Sequence, residues 1–352
     1  MPRFTADQLR TFARDLLAAG GAQPEEAECV AASLFYSNLR GSESHGIMRI
    51  PFYVDMLAKG DVVAGRPLEI LRESAMHIVA DGGWGFGQVQ ARRLLALLME
   101  RAREGAAGIG TLRCSGHIGR LGEYCELAAA EGMVSLLMVN TNGAVRRMAP
   151  PGGKSPRLGT NPIALGSPAG DEPMILDFST SVTAEGKVRV KRIAGEACPP
   201  GWIIDSEGRP TTNPNDLYAD PPGAILPMGG EQAYKGFGLA MMIEVFTGAL
   251  AGGLCSREKP ESPNGNCVFM LVARPEAFGG CEHFAEEVRR LGEFVRACPR
   301  VEGCGEILLP GDPERRTLRQ RTAEGIPLDA ENFAALVKLA ERLQVKAPEP
   351  IG

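Results

Sequence analysis

Between Met76 and Asn140 the chain alternates short β-rich runs with amphipathic stretches, and that rhythm restricts it to an α/β architecture. Residues 76–80 read as a strand, 88–103 as a helix, 109–114 as a strand, 121–131 as a helix and 133–140 as a strand. Ahead of this region the pattern is helical. Thr5 with Gln8 three residues on is a capping box, Leu9, Phe12, Leu16 and Leu17 share one face, and Gly20-Gly21 ends the helix. Pro24 suits the first turn of a second helix with an apolar stripe of Ala27, Val30, Ala31, Leu34 and Phe35. A polar segment at 41–49 and a short helix at 51–59 follow.

After residue 150 glycine and proline become dense, with short strands expected at 163–167 and 174–178. The nearly all-apolar stretch 236–250 predicts a helix buried on all sides. A loop at 260–266, a strand at 267–273, helices at 282–297 and 330–343 and a frayed tail at 347–352 complete the reading. A length of 352 residues suits two or three lobes. They are expected as a helical N-terminal lobe (1–75) packed with C-terminal helices at 315–345, an α/β region (76–140), a mixed α/β domain (141–310) and a C-terminal segment (311–352).

A formal net charge of -5 removes the electrostatic reason to hold nucleic acid. No apolar run approaches the roughly 20 residues that span a bilayer, and the amphipathic start does not read as a leader. Nine cysteines, an odd number with no C-x-x-C pair, argue against a disulfide framework and a zinc ribbon. They read as free thiols of a reducing cytoplasm. Four scattered histidines supply no metal site.

Chemistry concentrates in two places. Arg40 to Arg49 packs Ser44, His45 and Arg49 around Gly46. A histidine can move a proton to or from a carbonyl oxygen, and a guanidinium grips a carboxylate with two parallel hydrogen bonds. A polar loop capping a helix is the competing reading. His117 sits at a strand-to-helix junction, where α/β proteins place ligands; a purely structural histidine competes there. His77 and His283 have no partner motif and read as structural. A dinucleotide-binding G-x-G-x-x-G is absent: from Gly83, Gly85 fits but Gln88 stands in the third glycine's place, so 81–87 reads as a tight turn. Ser44 beside His45 without a G-x-S-x-G elbow does not make a hydrolase.

These residues belong to a longer ordered series: R-G-x-x-S-H-G-x-x-R-x-P-x-Y at 40–53, G-H-I-G-R-L-G-E-Y at 116–124, P-P-G-G at 150–153 and L-G-T-N-P-I-A at 158–164. I-L-D-F-S-T-S at 175–181, A-E-G-K-V-R-V at 184–190, K-G-F-G-L-A at 235–240 and L-L-P-G at 308–311 continue it. With them the chain resembles the type 2 malate/L-lactate dehydrogenase family from about Phe4 to Val345. The resemblance implies a mixed-sheet, non-Rossmann α/β fold and an NAD- or NADP-dependent oxidoreductase of 2-hydroxy or 2-oxo acids. It also implies a homodimer, with the cofactor carried by the 141–310 domain.

By the same resemblance His45 matches the proton donor and acceptor, Arg49 the substrate-carboxylate residue, and His117 a second histidine competing for the acid/base role. Ser44, Tyr53 and Thr160 would lie near substrate. Cofactor contacts would fall on Asn142, on Ile175, Leu176, Asp177 and Phe178, and on Ser179, Thr180 and Ser181. Tyr234 and Lys235, then Gly311, Asp312 and Pro313, would complete them. Asp312 stands where the family often has glutamate, and Tyr234 where it often has histidine. A cyclic imino-acid reductase of the same fold and a catalytically silent binding protein are the rivals. Arg146 and Arg147, with Lys154 and Arg157 close behind, form an unexpected basic cluster. It reads either as a solvated loop or as an anion site, for a second acidic group on the substrate or for the 2′-phosphate of NADP.

Overall fold

The computed structural model describes residues 1–259 and 262–351; the first two residues of the expected loop at 260–266 and the last residue of the tail lie outside these. Strand β1 (Arg3–Phe4) leads into α1 (Ala6–Ala19). The capping box is in place: Thr5 Oγ1 accepts from the Gln8 amide at 3.1 Å and Gln8 Oε1 from the Thr5 amide at 2.8 Å. Leu9, Phe12, Leu16 and Leu17 are buried, as their spacing predicts. Helices α2 (Pro24–Leu39) and α3 (Ile50–Lys59) close a helical core around Val30, Leu34 and Ile50.

The α/β region follows as β2 (Glu69–Glu73), β3 (His77–Asp81), α4 (Gly87–Glu104), β4 (Ala107–Ser115), α5 (Gly122–Ala130) and β5 (Val134–Asn140). After it come β6 (Pro162–Ser167), β7 (Met174–Ser179) and α6 (Glu185–Ile193), then a small sheet of β8 (Ile203–Ile204), β9 (Pro210–Thr211) and β10 (Ala224–Ile225). Helix α7 (Tyr234–Glu244) precedes β11 (Asn266–Ala273), and the chain ends with α8 (Cys281–Arg296), α9 (Asp312–Glu324), β12 (Ile326–Pro327) and α10 (Ala330–Leu343).

The main sheet runs β2-β3-β4-β11-β5-β6-β7. Only β3 and β4 pair in parallel, through the α4 crossover, and the other neighbours are antiparallel. The result is the expected mixed, non-Rossmann sheet. Strand β11 returns late in the chain to the sheet centre, where Cys267, Val268, Met270 and Val272 are fully buried. An apolar run without alternation is what a strand covered on both faces requires. The turn from β3 into α4 explains the failed dinucleotide signature. A Cβ on Gly87 would stand 2.2 Å from the Gly116 carbonyl oxygen, and the Gly116 amide donates to the Gly85 carbonyl at 3.0 Å. The turn is packed against the His117 loop, so its glycines serve close backbone approach.

Two expectations are corrected. The stretch 236–250 is not a helix buried on all sides. It begins at Tyr234, passes into a π-helical turn at Val245–Ala249, and exposes Met241, Met242, Val245 and Leu250. Its inner face is set by Gly236, Ala240, Ile243 and Gly248, mostly small residues that allow close packing, while bulkier apolar groups face outward. The tail is not frayed: the Ile351 amide donates to the Arg3 carbonyl at 2.8 Å, and Gln8 Nε2 to the Glu349 carbonyl at 3.0 Å. Strand β12 pairs with β1, and Leu336 and Leu339 of α10 join the core of α1–α3.

Candidate active site

The end of α2 places the first half of the site. Asn38 is buried, and its Oδ1 accepts from the Ile47 amide at 2.8 Å. A Cβ on Gly46 would stand 2.2 Å from that oxygen, so only glycine lets the chain fold across Asn38. Two 3-10 turns, Glu43–His45 and Ile47–Arg49, flank the contact. They bring Ser44, His45 and Arg49 to the wall of one cavity of about 260 Å³. Arg49 Nε donates to the Ser44 carbonyl at 2.7 Å, leaving its two terminal nitrogens for a ligand.

The second half comes from the loop after β4. Asn266 of β11 pins that loop by accepting from the Ile118 amide at 2.9 Å. The rings of His45 and His117 stack with centroids 5.6 Å apart and 22° between planes. Two donors converge on His117 Nδ1: the Gly119 amide at 3.2 Å and the Tyr53 hydroxyl at 2.8 Å. Tyr53 can donate because its oxygen already accepts from Gln88 Nε2 at 2.9 Å, and burial raises its phenol to about 12. Neutral His117 is therefore held with its proton on Nε2. His45 is held differently. Its Nδ1 lies 3.0 Å from Ser44 Oγ, a hydroxyl that can donate or accept, so either tautomer of His45 is supported.

Both imidazoles are held neutral. Burial lowers His45 to about 3, with Arg49 and then Arg120 adding repulsion. Burial, Arg49 and His45 push His117 well below the ordinary histidine value. Behind the cavity, buried Glu244 of α7 binds the amides of Asn140 and Asn161, two cavity residues, at 2.8 and 2.9 Å. The Ser256 amide and hydroxyl complete its shell at 3.0 and 2.7 Å.

Of the residues singled out in the sequence, Ser44, His45, Arg49, His117 and Thr160 line this cavity. Tyr53 lies behind His117. Asn142 is buried, with its Oδ1 accepting from the Leu254 amide and Cys267 Sγ and its Nδ2 donating to Ser262. The other expected segments meet along the edge strand β7. Thr180 is tied to the Thr160 carbonyl through its amide and hydroxyl, both at 3.0 Å, and its own carbonyl accepts from the Met228 amide. Met228 packs against Gly236, next to exposed Tyr234 and Lys235. At the other end of β7 the Ile175 amide donates to the Pro310 carbonyl, beside Gly311, Asp312 and Pro313. Ile175, Asp177 and Gly311 share a second cavity of about 230 Å³ with Arg120. Burial raises Asp177, against the Gly122 amide that donates to it at 2.7 Å. Asp312 is occupied by Arg296, Arg315 and the Leu309 amide. Leu176, Phe178, Ser179 and Ser181 continue the same strand and its exit.

Sequence reasoning missed Asn161, Asn266, Gln88 and Glu244. A lone acid inside the apolar run 236–250 was a signal for the last, since a carboxylate there must be met by donors.

The chain matches the family described as malate/L-lactate dehydrogenase over residues 4–337. It is 37% identical to hydroxycarboxylate dehydrogenase B of Escherichia coli, covering 99% of this chain and 95% of that one. Its fold superposes on the structure of malate dehydrogenase from Pyrococcus horikoshii with a TM-score of 0.88 at 33% identity, over 98% of this chain and 97% of that one. A delta1-piperideine-2-carboxylate reductase from Pseudomonas syringae superposes with a TM-score of 0.83 at 31% identity, over 97% of this chain and 100% of that one.

Proposed function

Because the chain belongs to the malate/L-lactate dehydrogenase family, we propose that it interconverts a 2-hydroxy acid and the corresponding 2-oxo acid with NAD or NADP. The observation that carries this reading is the stacked pair His45 and His117 beside Arg49 in one cavity. Arg49 takes the substrate carboxylate through its free nitrogens, which fixes C2 near the two imidazoles. His45 is the acid/base, since the Ser44 hydroxyl serves its Nδ1 in either protonation state. In oxidation neutral His45 takes the hydroxyl proton, and in reduction it returns it. His117 donates from Nε2 to the same oxygen and orients it, with Tyr53 and Gln88 as the positioning residues behind it.

The hydride at C2 would be supplied or accepted by a nicotinamide cofactor when one is bound. The residues along β7 fit such a group. Lys235 is exposed at the first turn of α7, with no carboxylate partner among the described residues, and can meet a pyrophosphate. Exposed Tyr234 offers a flat ring, and Ile175, Asp177 and Gly311 line a cavity at the far end of the strand. The reading extends to a homodimer, supported by the exposed apolar face of α7, and to a reducing compartment such as the cytoplasm, supported by nine free cysteines. The reading keeps the divisions 1–75, 76–140, 141–310 and 311–352, with β2 of the first and β6, β7 and β11 of the third joining β3, β4 and β5 of the second in one sheet.

The test is a panel of lactate, malate and a cyclic imine with both cofactors, followed at the nicotinamide absorbance. Hydroxy-acid turnover supports the reading, and turnover confined to the imine replaces it with the reductase. His45→Ala should then lower turnover by ~10²–10⁴ while cofactor still binds. If only His117→Ala does this, the roles are reversed.

A further inference from the structure

The basic cluster splits into two parts. Arg146, Lys154 and Arg157 line an outer depression of about 590 Å³ next to Glu207, which pairs with Lys154 at 3.2 Å. Arg147 lines that depression and also the candidate active site. Its backbone is fixed on both sides: its amide donates to the Leu158 carbonyl at 2.8 Å, and its carbonyl accepts from the Ile225 amide at 2.8 Å. Its guanidinium sits over the Tyr218 ring at 6.0 Å from the centre, a cation–π contact at the outer limit of range. Among the described residues no carboxylate pairs with Arg147 or with Arg49. The acid on the cavity wall is Glu185, whose Oε1 accepts from the Tyr218 hydroxyl at 2.6 Å.

One cavity thus holds two half-buried guanidiniums, neither with a counter-ion among the described residues. A half-buried cation left unpaired forgoes hydration, and an arriving anion restores the balance with charge-assisted hydrogen bonds. A substrate carboxylate can satisfy only one of them. We propose that Arg147 binds a second acidic group on the substrate, so that the site selects dianionic 2-hydroxy acids (dicarboxylates or sulfonates) over monocarboxylates. This rests on the reading of the cavity as a hydroxy-acid site in which Arg49 takes the first carboxylate. A second fork-shaped contact to a charged group gives a preference of ~10–100-fold.

The test is a calorimetric titration of the full chain with L-malate, L-3-sulfolactate and L-lactate without oxidised cofactor, so that no turnover is needed. Wild type should bind both dianions at least ~10-fold tighter than lactate. Arg147→Met should bring that ratio close to one. Arg147→Lys, which keeps the charge and loses the fork, should fall between. Arg146→Ala, which alters only the outer depression, should keep the wild-type ratio. Should Arg147→Met fail to fold, Arg147→Lys carries the test, and an unchanged ratio there overturns the proposal. A wild-type ratio near one overturns it as well. So does an Arg147 effect seen only as weaker NADP binding, which would assign the guanidinium to a 2′-phosphate. If dianions are preferred but no hydroxy acid is oxidised with either cofactor, the dehydrogenase reading falls and the anion site stands.

Discussion

Acidification tests the neutral histidine pair without any assumption about substrate. His45 takes up a proton near 6.5 in the unfolded chain and only near 3 in the folded one, because burial and Arg49 oppose the charge. Between those values the unfolded state binds more protons, so stability falls as pH falls below about 6.5 and is unaffected by this group above it. At pH 5 the gap is about 1.5 pH units, worth about 2 kcal/mol for one imidazole held fully neutral. The ring keeps part of its surface on the cavity, where water relieves some of the penalty, so the expected loss is about 1–2 kcal/mol. The assay compares denaturant unfolding of wild type and His45→Gln at pH 7.5 and pH 5, in buffers free of carboxylates that could occupy Arg49. The other titrating groups are common to both proteins, so the difference between the two pH-dependent losses reports His45 together with the repulsion it exerts on its stacked neighbour His117. Wild type should lose about 1–2 kcal/mol more than the variant on going to pH 5. Equal losses would refute the claim that the fold holds this imidazole neutral.

Two other perturbations address the supports of the site. Arg49→Lys should lower kcat/KM for hydroxy acids by ~2–5 kcal/mol of transition-state binding, because an ammonium cannot reproduce the two-point grip, and a Lys variant within threefold of wild type would sink the assignment. Glu244→Gln replaces a carboxylate that accepts four hydrogen bonds with an amide whose NH₂ must face donors. It should cost ~2–4 kcal/mol in chemical denaturation, and a loss under ~1 kcal/mol would show that the network is dispensable.

What was legible in the sequence follows from how local each signal is. Leu9, Phe12, Leu16 and Leu17 announce their helix because burial of one face imposes a period on neighbours in sequence. Ser44, His45 and Arg49 were legible for the same reason: one short segment of two successive turns carries all three. The stacking of His45 on His117 was not, since it depends on how the α2 end and the β4 loop meet in space. Nor was the division between Arg146 and Arg147, adjacent residues of which only the second reaches the cavity. The outward face of α7 misled because apolarity reports that water is disfavoured there, not that this chain supplies the cover. The segments along β7 were found through resemblance; no pattern in 175–181, 234–235 and 311–313 links them until the strand and Met228 do.

In the proposed reaction one residue links binding to proton transfer. After burial, Arg49 is the largest influence holding His45 neutral, and the same guanidinium has terminal nitrogens free for a carboxylate. An anion seated there offsets the charge that repels a proton from the imidazole, so the proton affinity of His45 rises as substrate arrives. A histidine near 3 is a weak base by itself, and the free protein keeps it so. The bound acid moves it toward the range where proton transfer in either direction is efficient. The substrate carboxylate would then tune the acid/base group as well as determine affinity.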